Sequence, residues 1–207
     1  MLHHSLTGPP GAPVLLLSSG LGGSGSYWAE HLEALGSAFR VITYDQRGTG
    51  RSAATLERPT SIAAMAEDAA RLLDHLGVQE CGVIGHALGG LIGLALAAAC
   101  PGLVSRLVVV NGWLAAHDHT RRCFDVRRDL LLGSGAASYV RAQPLFLYPS
   151  WWMAAQAERL ARDEAHALAQ FPSTGNVLAR IEALLAFDGR LLARQLACRT
   201  LAIVSHD

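Results

Sequence analysis

Apolar residues along this chain fall into short runs separated by glycine-rich turns, and the period changes from one run to the next. Ala12 to Ser18 (APVLLLS) is continuously apolar and bounded by Gly and Ser, the pattern of a strand buried on both faces. A glycine-rich loop follows, then a helical stretch from about Tyr27 to Leu35. Arg40 to Tyr44 (RVITY) predicts a second strand, ending at Asp45 in the loop DQRGTGRS. From Ser61 to Leu76 the spacing becomes helical, with Ile62, Met65, Ala69, Leu72, Leu73 and Leu76 on one face and Gly77 as the stop. Cys81 to Ile84 reads as a strand, Ala87 to Ala99 as a helix, and Leu103 to Asn111 as another strand.

Strand and helix alternating at this spacing predict an α/β fold: a mainly parallel sheet with helices on both faces, joined by right-handed crossovers. The rhythm breaks after Asn111. From Trp113 to about Leu196 the chain is helical, aromatic and Arg-rich, so an insertion lying over one end of the sheet is expected. Trp113, Trp151 and Trp152 are expected to pack within it. Arg199 to Val204 (RTLAIV) returns to strand character. Residues 1–112 with 197–207 are thus the expected sheet core, and 113–196 the expected helical cap. The last strand is expected to be an uncovered edge, and the sequence to be a fragment of a longer fold.

Composition narrows the chemistry. The 207 residues suit one domain, and 51% hydrophobic against 16% charged residues supports a sizeable core and excludes global disorder. Basic and acidic residues balance at 17 each, which leaves no field to attract nucleic acid or an acidic membrane surface. Every basic residue is Arg; with no Lys, Schiff-base chemistry, pyridoxal phosphate anchoring and a P-loop are excluded. The 4 cysteines form no CxxC pair, so neither a disulfide framework nor a zinc site is signalled, and reduced thiols in a cytoplasmic protein are expected. The first residues lack the basic and apolar regions of an export signal. Cys81 to Ser105 carries no charge over the length of a membrane span, yet five glycines interrupt it, so a strand, a tight turn and a buried helix are the better reading.

The glycine-rich loop supports two readings. Gly20, Gly22 and Gly25 match GxGxxG after a strand and before a helix, and Asp45 ends the next strand about twenty residues on, as in a dinucleotide-binding fingerprint. That pattern alone would suggest an NAD-binding oxidoreductase. Against it, Gly85-His86-Ala87-Leu88-Gly89 sits at a strand-to-helix junction, where a GxSxG nucleophile elbow lies. Ser19 to Ser24 with Trp28 holds the place of an oxyanion loop, and Asp45 to Ser52 supplies a third element in the expected order.

These three elements together resemble the α/β-hydrolase superfamily with a helical cap. The resemblance is closer still to the RutD family of the Rut pyrimidine-utilisation pathway. It is carried by GLGGSGSYW (Gly20 to Trp28), YDQRGTG (Tyr44 to Gly50), VIGHALG (Val83 to Gly89), VNGW (Val110 to Trp113), HTRRCF (His119 to Phe124) and AQPLFLYP (Ala142 to Pro149). The resemblance implies a cytoplasmic hydrolase of pyrimidine catabolism and uracil degradation that needs no cofactor or metal. It would assist breakdown of carbamate to ammonia and carbon dioxide, or act on aminoacrylate, a small substrate carrying a carboxylate; homo-oligomerisation stays open. A catalytically inert binding protein on the same fold is the remaining alternative.

Within that resemblance Ala87 is decisive, because ordinary members carry Ser there and a methyl group forms no acyl-enzyme. What survives the change is backbone: Leu21 and Leu88 would present N–H groups around Ala87, and Leu88 opens a helix. Carbamate needs a proton on nitrogen and aminoacrylate one on carbon, a task that suits a histidine general acid. His86 is expected to pack beneath the site. His119, with Arg121 and Arg122 at the start of the cap, would face the cleft, only one of the two arginines reaching a substrate; solvated charge with a cap-to-core salt bridge is the alternative for this cluster. Asp207, after the last strand, is the candidate acid, with the usual histidine expected beyond it.

Overall fold

The computed structural model describes residues 1–205. Its centre is a sheet of strands β1 (His4–Thr7), β2 (Val14–Ser18), β3 (Arg40–Tyr44), β4 (Cys81–His86), β5 (Val104–Val110) and β6 (Arg199–Ile203), in spatial order β1-β3-β2-β4-β5-β6. All pairs are parallel except β1 with β3. β1 has no signature along the chain, since HSLT offers neither an apolar run nor a clean alternation. Its strand character comes from pairing, with His4 opposite Tyr44 and Thr7 opposite Val41. β4 also runs two residues past Ile84, to His86.

The apolar run in β2 is buried on both faces, as its continuity predicts. Leu16, with Ile42 and Val83, faces α2 (Ile62–His75) and α3 (Leu88–Ala99). Leu15 and Leu17 face the opposite side with Val41 of β3, where Trp28 and Leu35 pack from the 3-10 helix Gly25–His31 and α1 (Leu32–Gly36). α2 buries Ile62, Met65, Ala69, Leu72 and Leu73 in one stripe, and the Ser61 hydroxyl caps it by accepting from the Ala64 N–H at 3.1 Å. α3 is apolar on every side and correspondingly enclosed.

After β5 the chain is helical: α4 (Asp118–Leu147), α5 (Ser150–Ala155), α6 (Ala157–Ala169), α7 (Thr174–Ala186) and α8 (Arg190–Arg194). α4 is two helices joined at Gly135, whose φ of 81° and ψ of −178° only glycine adopts readily. α7 is the most deeply set of these helices, burying Val177, Ile181 and Leu184. Trp151 corrects the packing expectation: it is 71% exposed, whereas Trp152 stacks on Tyr148 at 4.2 Å. β6 pairs with β5 and is exposed along its length. No helix among the described residues is long and apolar enough to cross a membrane.

Candidate active site

One residue, Ala87, separates the end of β4 from the start of α3. Ala87 sits there at φ 48° and ψ −114°, a conformation that costs a non-glycine residue about 1–3 kcal/mol. Its N–H donates to the Val110 carbonyl at 2.8 Å, so the neighbouring strand holds the strained residue in place. The flanking glycines are steric necessities. A Cβ on Gly85 would collide with the Gly89 backbone, and one on Gly89 with the Ser18 carbonyl of β2; one on Gly90 would lie 2.8 Å from the Val109 side chain. The helix can therefore start directly against the sheet, with Gly89 in its first turn packed on the end of β2.

The loop after β2 meets this turn. A Cβ on Gly20 would lie 3.8 Å from the Ala87 methyl and 3.2 Å from Nδ1 of His86. The two stretches expected to supply an oxyanion hole are thus adjacent. Neither the Leu21 nor the Leu88 N–H donates to any acceptor among the described residues. Beside them the Ser19 hydroxyl and His86 Nδ1 are enclosed without a hydrogen-bond partner. His86 stacks on Tyr27 at 5.0 Å, and burial lowers its pKa from the ordinary imidazole value, which keeps it neutral near pH 7.

Carbonyls of the loop point the other way, into a polar clamp. Gln46 Nε2 donates to the Ser19 carbonyl at 2.7 Å, and the Gln46 N–H to the Gly23 carbonyl at 2.8 Å. Arg180, from α7, donates through Nε to the Leu21 carbonyl at 3.1 Å, through Nη2 to the Gly20 carbonyl at 3.4 Å, and through Nη2 to Gln46 Oε1. Its guanidinium is 1% exposed, and no carboxylate pairs with it among the described residues. Burial lowers its pKa to about 10, with Tyr44 and Tyr139 opposing the shift, so it remains charged at neutral pH. Sequence reasoning missed Arg180. The available signal was an arginine one helical turn from Val177 and from Leu184, on the apolar face of α7.

Asp45 answers the dinucleotide reading. Its carboxylate accepts from the Gly25 N–H at 2.8 Å and the Arg51 N–H at 2.9 Å, with Arg51 Nε at 3.2 Å, and the residue is 1% exposed. Burial opposes its ionisation, but those donors outweigh burial and hold its pKa below the usual carboxylate value. The carboxylate ties two loops together and is committed to that task. Gly23, at φ 73°, packs against Thr49 and Arg180, and so lies under the clamp.

The cap candidates make no hydrogen bond to the elbow among the described residues. His119 is exposed near the start of α4, its ring stacked on His117 at 6.1 Å and its Nε2 3.6 Å from Cys123 Sγ. Arg121 and Arg122 are exposed and form no ion pair among the described residues, so the cap-to-core bridge is not seen there. The cap is instead tied down by Arg159 to Glu30 at 3.0 Å, by Arg58 to Glu182, and by Asn176. Asp207 lies outside the described residues. Cys81, Cys100, Cys123 and Cys198 are free thiols. A cavity of about 380 Å³ between Thr49–Thr55 and Phe171–Asn176 touches none of the elbow residues.

Comparison with known proteins agrees with this geometry. The family model described as the α/β-hydrolase fold matches residues 13–175. A protein of Stutzerimonas stutzeri named "Putative carbamate hydrolase RutD" is 51% identical over 208 residues, covering 100% of this chain and 78% of that protein. One of the same name from Agrobacterium fabrum is 52% identical over 177 residues, covering 86% and 68%. Among solved structures, an enol-lactonase from Burkholderia xenovorans superposes with a TM-score of 0.87 at 27% identity, covering 97% of this chain and 76% of that one. The chain belongs to the α/β-hydrolase fold family and, within it, to the RutD family.

Proposed function

We propose that this protein hydrolyses carbamate in pyrimidine catabolism, without a covalent intermediate. The observation that carries the reading is the elbow itself: a strained, glycine-packed turn with a methyl group at its centre and unpartnered Leu21 and Leu88 N–H groups beside it. The RutD relatives supply the substrate class. Water adding to the carboxyl carbon of carbamate raises the negative charge on the carboxylate oxygens. Two fixed N–H donors favour that charge, and such a donor is worth roughly 3–4 kcal/mol where it acts on a transition state. Protonation of nitrogen then releases ammonia, and the remaining fragment is bicarbonate, the hydrated form of carbon dioxide.

The proton route draws on a histidine. His86 is neutral and its Nδ1 is enclosed against Gly20, so it serves the site by packing. His119 is the candidate from the cap, exposed near the start of α4, with Arg121 or Arg122 as its substrate-binding neighbour. A cytoplasmic setting belongs to the same proposal, in keeping with four free thiols.

The test is ammonia release from carbamate, measured above the spontaneous rate for the wild type and Ala87→Ser. The wild type is expected to exceed the background clearly, and Ala87→Ser to stay within about threefold of it and to resist phosphonate inhibitors. An Ala87→Ser rate that phosphonate abolishes would restore the serine mechanism. A wild-type rate equal to background would leave the inert binding protein as the reading.

A further inference from the structure

Arg180 is the largest fully buried side chain among the described residues, and it is charged. Burying a guanidinium without an anionic partner costs several kcal/mol, so such a group persists only where neutral dipoles solvate it well or where a ligand completes it. Here the dipoles are the Gly20 and Leu21 carbonyls and the side-chain oxygen of Gln46. Two of the three are peptide units of the loop that carries the Leu21 N–H.

The geometry has a direct consequence for that N–H. In a trans peptide the C=O and N–H point in opposite directions. The Gly20 carbonyl and the Leu21 N–H belong to one peptide, so a carbonyl held toward Arg180, and toward the Gly23 N–H at 3.0 Å, turns the Leu21 N–H away from the clamp. Hydrogen bonds to the carbonyl also polarise the peptide and strengthen its N–H as a donor. Gln46 repeats the arrangement one residue upstream by holding the Ser19 carbonyl at 2.7 Å. The positive charge behind the loop is left without a counter-ion until an anion arrives in front of it.

We propose that Arg180 is the positioning residue of the oxyanion loop and the source of its selectivity for an anionic, carboxylate-bearing ligand over a neutral one. The inference rests on the anion-hole reading of Leu21 and Leu88 under the proposed function. It assigns a cap residue a role through the loop carbonyls, without contact with the substrate. Cap and hole are then coupled, because α7 carries the guanidinium on which the loop conformation depends.

The experiment titrates the isotope-labelled full chain with sodium acetate and with acetamide, its neutral isostere, and follows the amide resonances of Leu21 and Leu88. The wild type is expected to bind acetate at both amides, and acetamide about tenfold more weakly or less, the discrimination expected where a hydrogen-bonded charge is lost. Arg180→Met is expected to lose about tenfold in acetate affinity, with its Leu21 amide shifted even without ligand. Arg180→Lys should recover most of the acetate affinity through its charge, while leaving the Leu21 amide displaced, because an ammonium cannot grip two carbonyls as the planar fork does.

Unchanged acetate affinity in a folded Arg180→Met protein overturns the proposal and leaves Arg180 as a brace. Equal binding of acetate and acetamide by the wild type overturns it too, even should Arg180→Met fail to fold, while responses at Leu21 and Leu88 keep the anion-hole reading standing. No response at either amide to either ligand overturns both.

Discussion

The elbow and the clamp meet at Gly20, and they are built from opposite materials. The elbow is held by absence of side chains: Gly85, Gly89 and Gly90 let backbone touch backbone, and the strain at Ala87 is confined by one hydrogen bond to Val110. The clamp is held by long polar side chains, with Arg180, Gln46 and Asn176 reaching across from the cap or between loops to carbonyls. A steric arrangement has no tolerance for added atoms and little dependence on pH or salt. A polar arrangement tolerates small changes of shape, but each lost partner leaves a buried group unsatisfied. Keeping the elbow backbone while replacing the nucleophile by Ala87 is therefore a small structural step, since the hydroxyl was never part of what holds the turn.

The largest expected effect breaks the steric half. Gly89→Val would drive Cβ into the Ser18 carbonyl, two backbones that have nowhere to retreat. Overpacking of this kind is expected to cost upwards of about 3 kcal/mol, seen as a large fall in the urea unfolding midpoint and complete loss of ammonia release. A near-normal midpoint would show that the helix start can slide away from β2, and the contrast between steric and polar halves would fail.

Asn176→Ala breaks the polar half. Nδ2 donates to the Gly48 carbonyl at 2.9 Å and the Ala54 carbonyl at 2.7 Å, while Oδ1 accepts from the Leu56 N–H at 2.9 Å. Removing the amide leaves these groups to find water, for a cost of about 2 kcal/mol in chemical denaturation. A loss under about 0.5 kcal/mol would mean that water replaces the clamp freely.

What the sequence shows and what it hides follow the same division. Strands β2 and β3 are legible because their runs record burial on both faces, β4 and β5 because short apolar stretches alternate with helices, and the elbow because its glycines sit at fixed offsets from a strand end. The meeting of the loop at Gly20 with the turn at Ala87 is legible for the same reason, since backbone placement needs no side-chain code. Arg180 and Asn176 are not, because their partners lie far along the chain, 159 residues away for the Arg180–Leu21 bond. Arg127 is similar. Placed on the buried face of α4 between Phe124 and Leu131, it donates to the Tyr139 hydroxyl at 2.9 Å and lies 4.8 Å from the Phe124 ring centre. An arginine in register with apolar residues was the one local sign in both helices.

Acid sharpens the comparison, because the buried carboxylates lie on the polar side of it. Asp45 and Asp68 are both held below the usual carboxylate pKa. Burial opposes ionisation in each case, but backbone N–H groups and Arg51 outweigh it at Asp45, and Arg47 and Arg71 at Asp68. Folded values below the unfolded ones mean that this stability is fully present above about pH 4 and is lost as pH falls through the folded values. Asp45→Asn should cost about 1.5 kcal/mol at pH 7. Its difference from the wild type should close as urea midpoints are taken from pH 5 down to pH 2. A difference independent of pH would place the effect in shape and remove Asp45 from the acid response.

The smallest effect has the opposite sign and isolates what glycine costs where nothing requires it. Gly133 lies in α4 on an exposed face, where a Cβ would meet no atom within 4 Å and φ is not positive. Gly89, by contrast, is sterically trapped, and Gly135 is bound to its φ of 81°. A methyl at Gly133 meets only solvent, and it narrows the conformations of the unfolded chain without straining the folded one. Gly133→Ala is therefore expected to stabilise the protein by about 0.5–1 kcal/mol, measured as a rise in the urea midpoint with an unchanged slope. The site should not notice, and ammonia release should match the wild type. A destabilising Gly133→Ala would mean that the break at Gly135 begins two residues earlier than its backbone angles show, and that the first half of α4 depends on glycine much as the elbow does.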